Sequence, residues 1–294
     1  MEAGDGEEEL TAQETAVYDR QIRVWGVDAQ KRLSKSHVLV SRITGAAVEF
    51  CKNVVLAGVG SVTLMDDRTV TEDAIQANFL IPPDENKWKA PLRNSAVIQR
   101  VQPNGDLADF EEEFFDKFDV IVVSSCSLAN KKKINNRCRR RPKRTAFYTI
   151  DCRGSCGEIF TDLQDYTYGQ KYPSFEEAIS LSWRSLPKKV AKLFFALRVI
   201  ENFEQSAGRK HGEISMSDLP DVLTLQKQLC EAQCSGTFAC SRCSKHPPVC
   251  AILGGILGQE VIKGISGKGD PVKNFFFFDT TDGKGIIEDI SAAD

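Results

Sequence analysis

The sequence has no long apolar run: the longest uninterrupted stretch, Val249 to Gly258, is ten residues, about half of the ~20 that span a bilayer. It has no charge excess of either sign. Its 38 basic and 41 acidic side chains leave a net −3, so no global field selects nucleic acid or an anionic membrane. It has no basic-then-apolar start. Residues 1–10 carry five carboxylates and nothing to pack, which predicts a disordered acidic tail rather than a secretory signal. Neither an internal repeat nor a hydride-transfer constellation is visible. Neither a membrane nor a secreted protein is expected, and the ten cysteines are read as reduced thiols or metal ligands rather than disulfides.

What is present is ordinary globular composition, 41% hydrophobic and 27% charged, in a chain of 294 residues. Thr11-Ala12-Gln13-Glu14 has the spacing of a capping box, predicting a helix from Thr11 to about Gly26, followed by a polar helix to Ser34. His37 to Val40 and Ser61 to Met65 are short continuous apolar runs, as in strands covered on both faces, with a helix over Gly45 to Ala57 between them. That strand–helix–strand unit opens a doubly wound α/β fold with a mainly parallel nucleotide-binding-type sheet. Further strands are expected at Asp119 to Val123, Ala146 to Ile150 and Glu158 to Leu163, and helices at Lys188 to Glu204, Asp218 to Ala232 and Pro247 to Ile265. Asn274 to Asp279 and Gly285 to Glu288 read as a terminal hairpin.

Three segments together resemble one family. Tyr18-Asp19-Arg20-Gln21-Ile22-Arg23-Val24-Trp25-Gly26 resembles the opening of subunits of activating enzymes for ubiquitin-like proteins. Cys250 to Glu260, with Gly254-Gly255, resembles their late buried helix. Asn274 to Asp279, with four phenylalanines, resembles most closely the strand of the smaller, non-catalytic subunits that serve SUMO. The likeness extends over about 11–290, with weak patches at 84–105 and 230–247. It implies a pseudo-adenylation domain over 11–165, a shortened helical insertion over 166–246, and a return to the first domain over 247–294. A packing element lost at either weak patch would expose apolar surface.

The resemblance also implies chemistry. A SUMO-type C-terminus is adenylated by ATP and then captured as a thioester, with ATP and Mg2+ held by the larger catalytic subunit. SUMO and the SUMO-conjugating enzyme are the further partners, and the nucleus is the expected location. Neither an intrinsic cofactor, a membrane nor a nucleic-acid partner is expected. Members that work alone place several glycines after the first strand; here Ser41-Arg42-Ile43-Thr44-Gly45 keeps one, with Arg42 where bare backbone belongs, though its charge could attract phosphate. Asp66 or Asp67 could hold ribose hydroxyls or serve as strand-end turn residues. Ala77 replaces a cation, Ser95 a lysine, and Ser127 the aspartate that would hold magnesium. The chain's own nucleotide site is therefore expected to be inactive.

Arg20 matches the position whose guanidinium reaches the partner's nucleotide. The residues at i−4 and i+4, Ala16 and Val24, offer it no carboxylate, whereas Arg23 has Asp19. No cysteine is a good thioester nucleophile. Cys51, Cys126, Cys138, Cys152 and Cys156 read as buried thiols. Cys230, Cys234, Cys240 and Cys243, with His246 and Cys250 nearby, form a weak zinc candidate, since only Cys240-x2-Cys243 is regular. Lys131 to Arg144 holds nine basic and no acidic side chains; without interleaved aromatics it reads as a solvated helix and loop, or a nuclear-import signal. Other readings are the silent subunit of the neddylation-activating enzyme, a stand-alone adenylyltransferase, a scaffold without a catalytic arginine, and a redox enzyme.

Overall fold

The computed structural model of the chain describes residues 10–66, 68, 78, 98–101, 106–186, 190–233 and 247–292. The capping box is formed. The Thr11 hydroxyl accepts from the Glu14 N–H at 3.1 Å, and Glu14 Oε2 accepts from the Thr11 N–H at 2.8 Å, starting α1 (Ala12–Val17). The helix does not run unbroken to Gly26. Tyr18 leaves helical geometry and lays its ring on the bare Cα of Gly58, where an added Cβ would lie 2.6 Å from Tyr18 Cζ. Helix α2 (Asp19–Trp25) resumes, and Gly26, at φ 89°, turns the chain into α3 (Val27–Ser34).

Strand β1 (His37–Ser41), α4 (Gly45–Leu56) and β2 (Ser61–Met65) form the expected strand–helix–strand unit. Next come β3 (Ile98–Val101), α5 (Glu112–Phe115), β4 (Val120–Ser124), α6 (Leu128–Arg139), β5 (Ala146–Arg153) and β6 (Cys156–Asp162). The chain then continues through α7 (Phe175–Ser180), α8 (Lys192–Ser206), α9 (Leu219–Gln233), α10 (Pro247–Ser266), β7 (Phe275–Asp279) and β8 (Lys284–Glu288). Strand β3 was not legible in the sequence: it is four residues long with polar Gln99 and Arg100 inside it, and only its pairing with β2 defines it.

The sheet order is β3-β2-β1-β4-β5-β6-β7-β8; β3 to β5 are parallel neighbours, while β6, β7 and β8 add antiparallel. Side chains alternate across it. Val38 and Val40 enter one core with α4 and α10, while Leu39 enters the other with α6 and α8. The four phenylalanines of β7 divide likewise: Phe276 and Phe278 go to the first core, Phe275 and Phe277 to the second. Phe275 and Phe277 stack at 5.6 Å, and the edge of Phe194 from α8 meets both.

The expectation that nothing in the chain is apolar enough to span a bilayer needs correcting. By length and composition alone, Pro248–Ser266 would be long enough, because the polar residues in it are few. Its place is the protein core: Leu253, Leu257 and Val261 are fully buried between α4 and the sheet.

Candidate functional site

Strand order reverses direction between β1 and β4, and a crevice beyond the carboxyl ends of such strands is where doubly wound sheets receive ligands. The turn after β1 should offer free N–H groups there. It does not. The Arg42 N–H donates to Met65 O at 2.8 Å, and the Ile43 N–H to Asp66 Oδ2 at 2.7 Å. The Thr44 N–H donates to Arg42 O at 3.0 Å. Thr44 caps α4, its hydroxyl accepting from the Ala47 N–H at 3.3 Å and lying 2.6 Å from Ser124 Oγ; Gly45 is the first, buried residue of that helix.

Arg42 does not hold its charge out toward phosphate. Its guanidinium crosses the crevice, donating to Ser125 O at 2.8 Å and to Asp106 Oδ2 at 3.3 Å. Asp66 is committed as well. It accepts from Ile43 and, through both oxygens, from Arg68 at 2.8 and 2.9 Å. Burial opposes its ionisation, but the Arg68 guanidinium and the Ile43 N–H outweigh that and hold the carboxyl below the usual range. Ser127 is the N-cap of α6, accepting from the Asn130 N–H at 3.3 Å. Asp67, Ala77 and Ser95 lie outside the described residues.

Arg20 projects from α2 into solvent and has no hydrogen bond or ion pair among the described residues. Its neighbour Arg23 is paired with Asp19 at 2.8 Å, as the helix spacing predicts. Exposed apolar side chains lie three and four residues from Arg20 along the chain. Val17 and Val24 are 69% and 81% exposed, and Gln21 ties α2 to α4 by donating to the carbonyl of Leu56, itself 67% exposed.

The described thiols are protected. Burial pushes Cys51 up to about 12, and burial with nearby Asp106 does the same to Cys126. Burial also raises Cys138, and a contact with Cys250 together with burial raises Cys152. Cys152 and Cys156 face the β5–β6 hairpin, which turns at Gly154-Ser155. Of the zinc candidates, Cys230 is buried on α9, and Cys234, Cys240, Cys243 and His246 fall outside the described residues.

The basic run departs from the solvated reading. Lys131 is fully buried, joined to Asp151 and, at 2.6 Å, to Glu201 of α8. Burial works against its charge, but Asp151 and Glu201 prevail and hold its pKa above the ordinary lysine value. Arg139 pairs with Asp162 at 3.0 Å and Lys143 with Asp119 at 2.7 Å, while Arg141 reaches Asp116. Lys133, Arg140, Lys143 and Arg144 face solvent, Lys133 pairing with Asp109 at 3.2 Å.

Lys131 opens a larger buried network. Arg198 grips both oxygens of Glu158 at 2.7 and 2.8 Å, and Arg153 holds Glu204 at 2.7 and 2.9 Å. Asp151, Glu158 and Glu201 cluster closely enough to suggest a metal, but Lys131 and Arg198 supply the cations there. Sequence reading missed this network. The available signal was Arg198, Glu201 and Glu204 falling at the spacing of the helix's apolar, buried face.

A model of the ThiF family matches residues 18–293. The chain is 55% identical, over a 317-position alignment, to SUMO-activating enzyme subunit 1A of Arabidopsis thaliana, covering 98% of each. It is 31% identical, over a 338-position alignment, to SUMO-activating enzyme subunit 1 of Danio rerio, covering 96% of this chain and 97% of that one. For the Dictyostelium discoideum protein of the same name the identity is 30%, over 97% and 96% of the two chains. Among solved structures, the crystal structure of SeMet PaaA superposes with a TM-score of 0.60 over 99% of this chain and 77% of that chain, at 14% identity, a likeness of fold.

Proposed function

The chain belongs to the ThiF family, within it to subunit 1 of SUMO-activating enzymes, and we propose that it is the non-catalytic partner that completes another subunit's adenylation site. In this reading the larger subunit holds ATP and Mg2+. The SUMO C-terminal carboxylate attacks the α-phosphate, an acyl–phosphate bond forms, and pyrophosphate leaves. A cysteine of the larger subunit then takes the acyl group and releases AMP, ahead of transfer to the SUMO-conjugating enzyme.

The carrying observation is Arg20: an exposed guanidinium without an internal partner among the described residues, on a segment that also exposes Val17 and Val24 and whose Gln21 bonds exposed Leu56. Apolar surface of that kind suits burial against a second subunit, and a permanent charge delivered at its edge suits polyphosphate. The occupied β1–β4 crevice, and the protection of the thiols among the described residues, support a chain that carries neither the nucleotide nor the thioester. Solvent-facing Arg140, Lys143 and Arg144 support nuclear import, which a fluorescent fusion with all three neutralised would test.

The decisive experiment mixes the chain with the larger subunit, SUMO, ATP and Mg2+. The expected result is a SUMO thioester on the larger subunit, requiring both chains. ATP–pyrophosphate exchange by this chain alone would favour a stand-alone adenylyltransferase, and activity with the neddylation modifier instead of SUMO would favour that pathway's silent subunit.

A further inference from the structure

Two residues in left-handed backbone face each other across the β1–β4 crevice: Arg42 at φ 65° and Ser125 at φ 50°. Such backbone is disfavoured for any residue with a Cβ, and it persists where surrounding contacts over-determine it. Here the contacts are explicit. The Ser125 C=O accepts from Arg42 Nη1 at 2.8 Å, and the Ser125 N–H donates to Asp151 Oδ1 at 2.9 Å. The other end of the guanidinium rests on Asp106 Oδ2, which Asn130 Nδ2 also holds at 2.8 Å, while Asp106 Oδ1 accepts from the Ala108 N–H at 3.1 Å. The side chains of Arg42 and Asp106 are about three-quarters buried, at 25% and 24% exposure.

We propose that Arg42 is a built-in occupant of the crevice: its guanidinium ties the end of β1 to the end of β4 and to the Asp106 turn, closing the switch point to nucleotide. The proposal rests on the reading that this chain does not carry the nucleotide itself, and it names one residue that occupies the space a nucleotide would need. Arginine is suited because a planar fork engages a carbonyl and a carboxylate at once, whereas a lysine ammonium would meet them as a single point.

The test uses the full chain with Arg42→Ala and Arg42→Gly, read by thermal unfolding and by hydrogen exchange across 121–126. Arg42→Ala is expected to lower Tm by about 3–6 °C. Arg42→Gly should lower it less, because glycine adopts φ 65° freely, and it remains usable if the alanine variant fails to fold. Both should speed exchange at Ser125 and Cys126 at least tenfold and leave β6 and β7 unchanged. Adding Asp106→Asn to Arg42→Ala should cost less than Asp106→Asn alone, since the two side chains act as one contact. Wild-type Tm with wild-type exchange in Arg42→Ala would overturn the proposal while leaving the subunit reading intact. Failed reconstitution with the larger subunit would do the reverse.

Discussion

Lys131 Nζ lies 2.6 Å from Glu201 Oε1, with both side chains sealed from solvent. The contact joins α6, which follows the β1–β4 crevice, to α8. Asp151 of β5 takes the ammonium from the other side and also accepts the Ser125 N–H. A continuous polar chain therefore runs from Arg42 through Ser125, Asp151 and Lys131 to Glu201 and Arg198. An apolar layer could hold α8 to the sheet in several registers. Paired buried charges accept only one, because every alternative leaves an ion unsatisfied.

Removing the ammonium should therefore be costly. Lys131→Met keeps the apolar stem and strands Asp151 and Glu201, a loss of about 3–5 kcal/mol. In a thermal melt this appears as a Tm lower by about 10 °C. Lys132→Met, one residue away and partly exposed, should change Tm by no more than about 1 °C.

His211 predicts a pH dependence. Its Nδ1 lies 2.9 Å from Arg153 Nη2 and its Nε2 lies 3.5 Å from Asp151 Oδ1, with Glu204 and Lys131 also facing it. Burial, reinforced by Arg153, holds its pKa down to about 4, against about 6.5 in the unfolded chain. Between those values the unfolded chain binds a proton that the folded chain refuses. Its contribution to stability is thus complete above pH 6.5 and is lost as the pH falls toward 4, with a ceiling on the order of 3 kcal/mol. His211→Gln should flatten the Tm profile between pH 6.5 and 4; an unchanged slope would count against this account.

Arg20 separates assembly from chemistry. Arg20→Ala should leave the complex with the larger subunit intact by gel filtration and slow adenylate formation by roughly one to three orders of magnitude. Arg20→Lys should recover part of the rate, because charge survives and fork geometry does not. Pyrophosphate exchange at the wild-type rate in the alanine variant would remove Arg20 from the mechanism.

Gly254 and Gly255 are adjacent and should respond oppositely. A Cβ at Gly254 would lie 2.5 Å from Glu49 Cβ and 2.6 Å from Ala46 O, so Gly254→Ala must push α10 off α4 and destabilise by about 1–3 kcal/mol. A Cβ at Gly255 meets open space, so Gly255→Ala should gain up to about 1 kcal/mol of helix propensity in the isolated chain. Denaturant melts of both variants check the pair.

Much of the fold was legible because its signals are local. The capping box at Thr11, the apolar runs of β1 and β2 and the glycine before β8 each act through neighbours in sequence. The helix break at Tyr18, whose ring packs on Gly58 forty residues on, was not legible. The degeneracy of the nucleotide loop could be read as missing glycines, but the direction of Arg42 could not. An arginine in a loop is drawn equally to phosphate and to carboxylate, and only the folded positions of Ser125 and Asp106 select between them.

The sequence by itself determined the α/β class, the strand–helix–strand opening, the family and Arg20 as a helix-face cation without a neighbouring carboxylate, because periodicity, capping and short motifs are properties of adjacent residues. Tertiary structure alone decided that Lys131 is an internal ion rather than part of a solvated basic face, and that Arg42 closes its own crevice. Both outcomes depend on carboxylates and carbonyls dozens of residues away, brought within about 3 Å only when the sheet and its helices have packed.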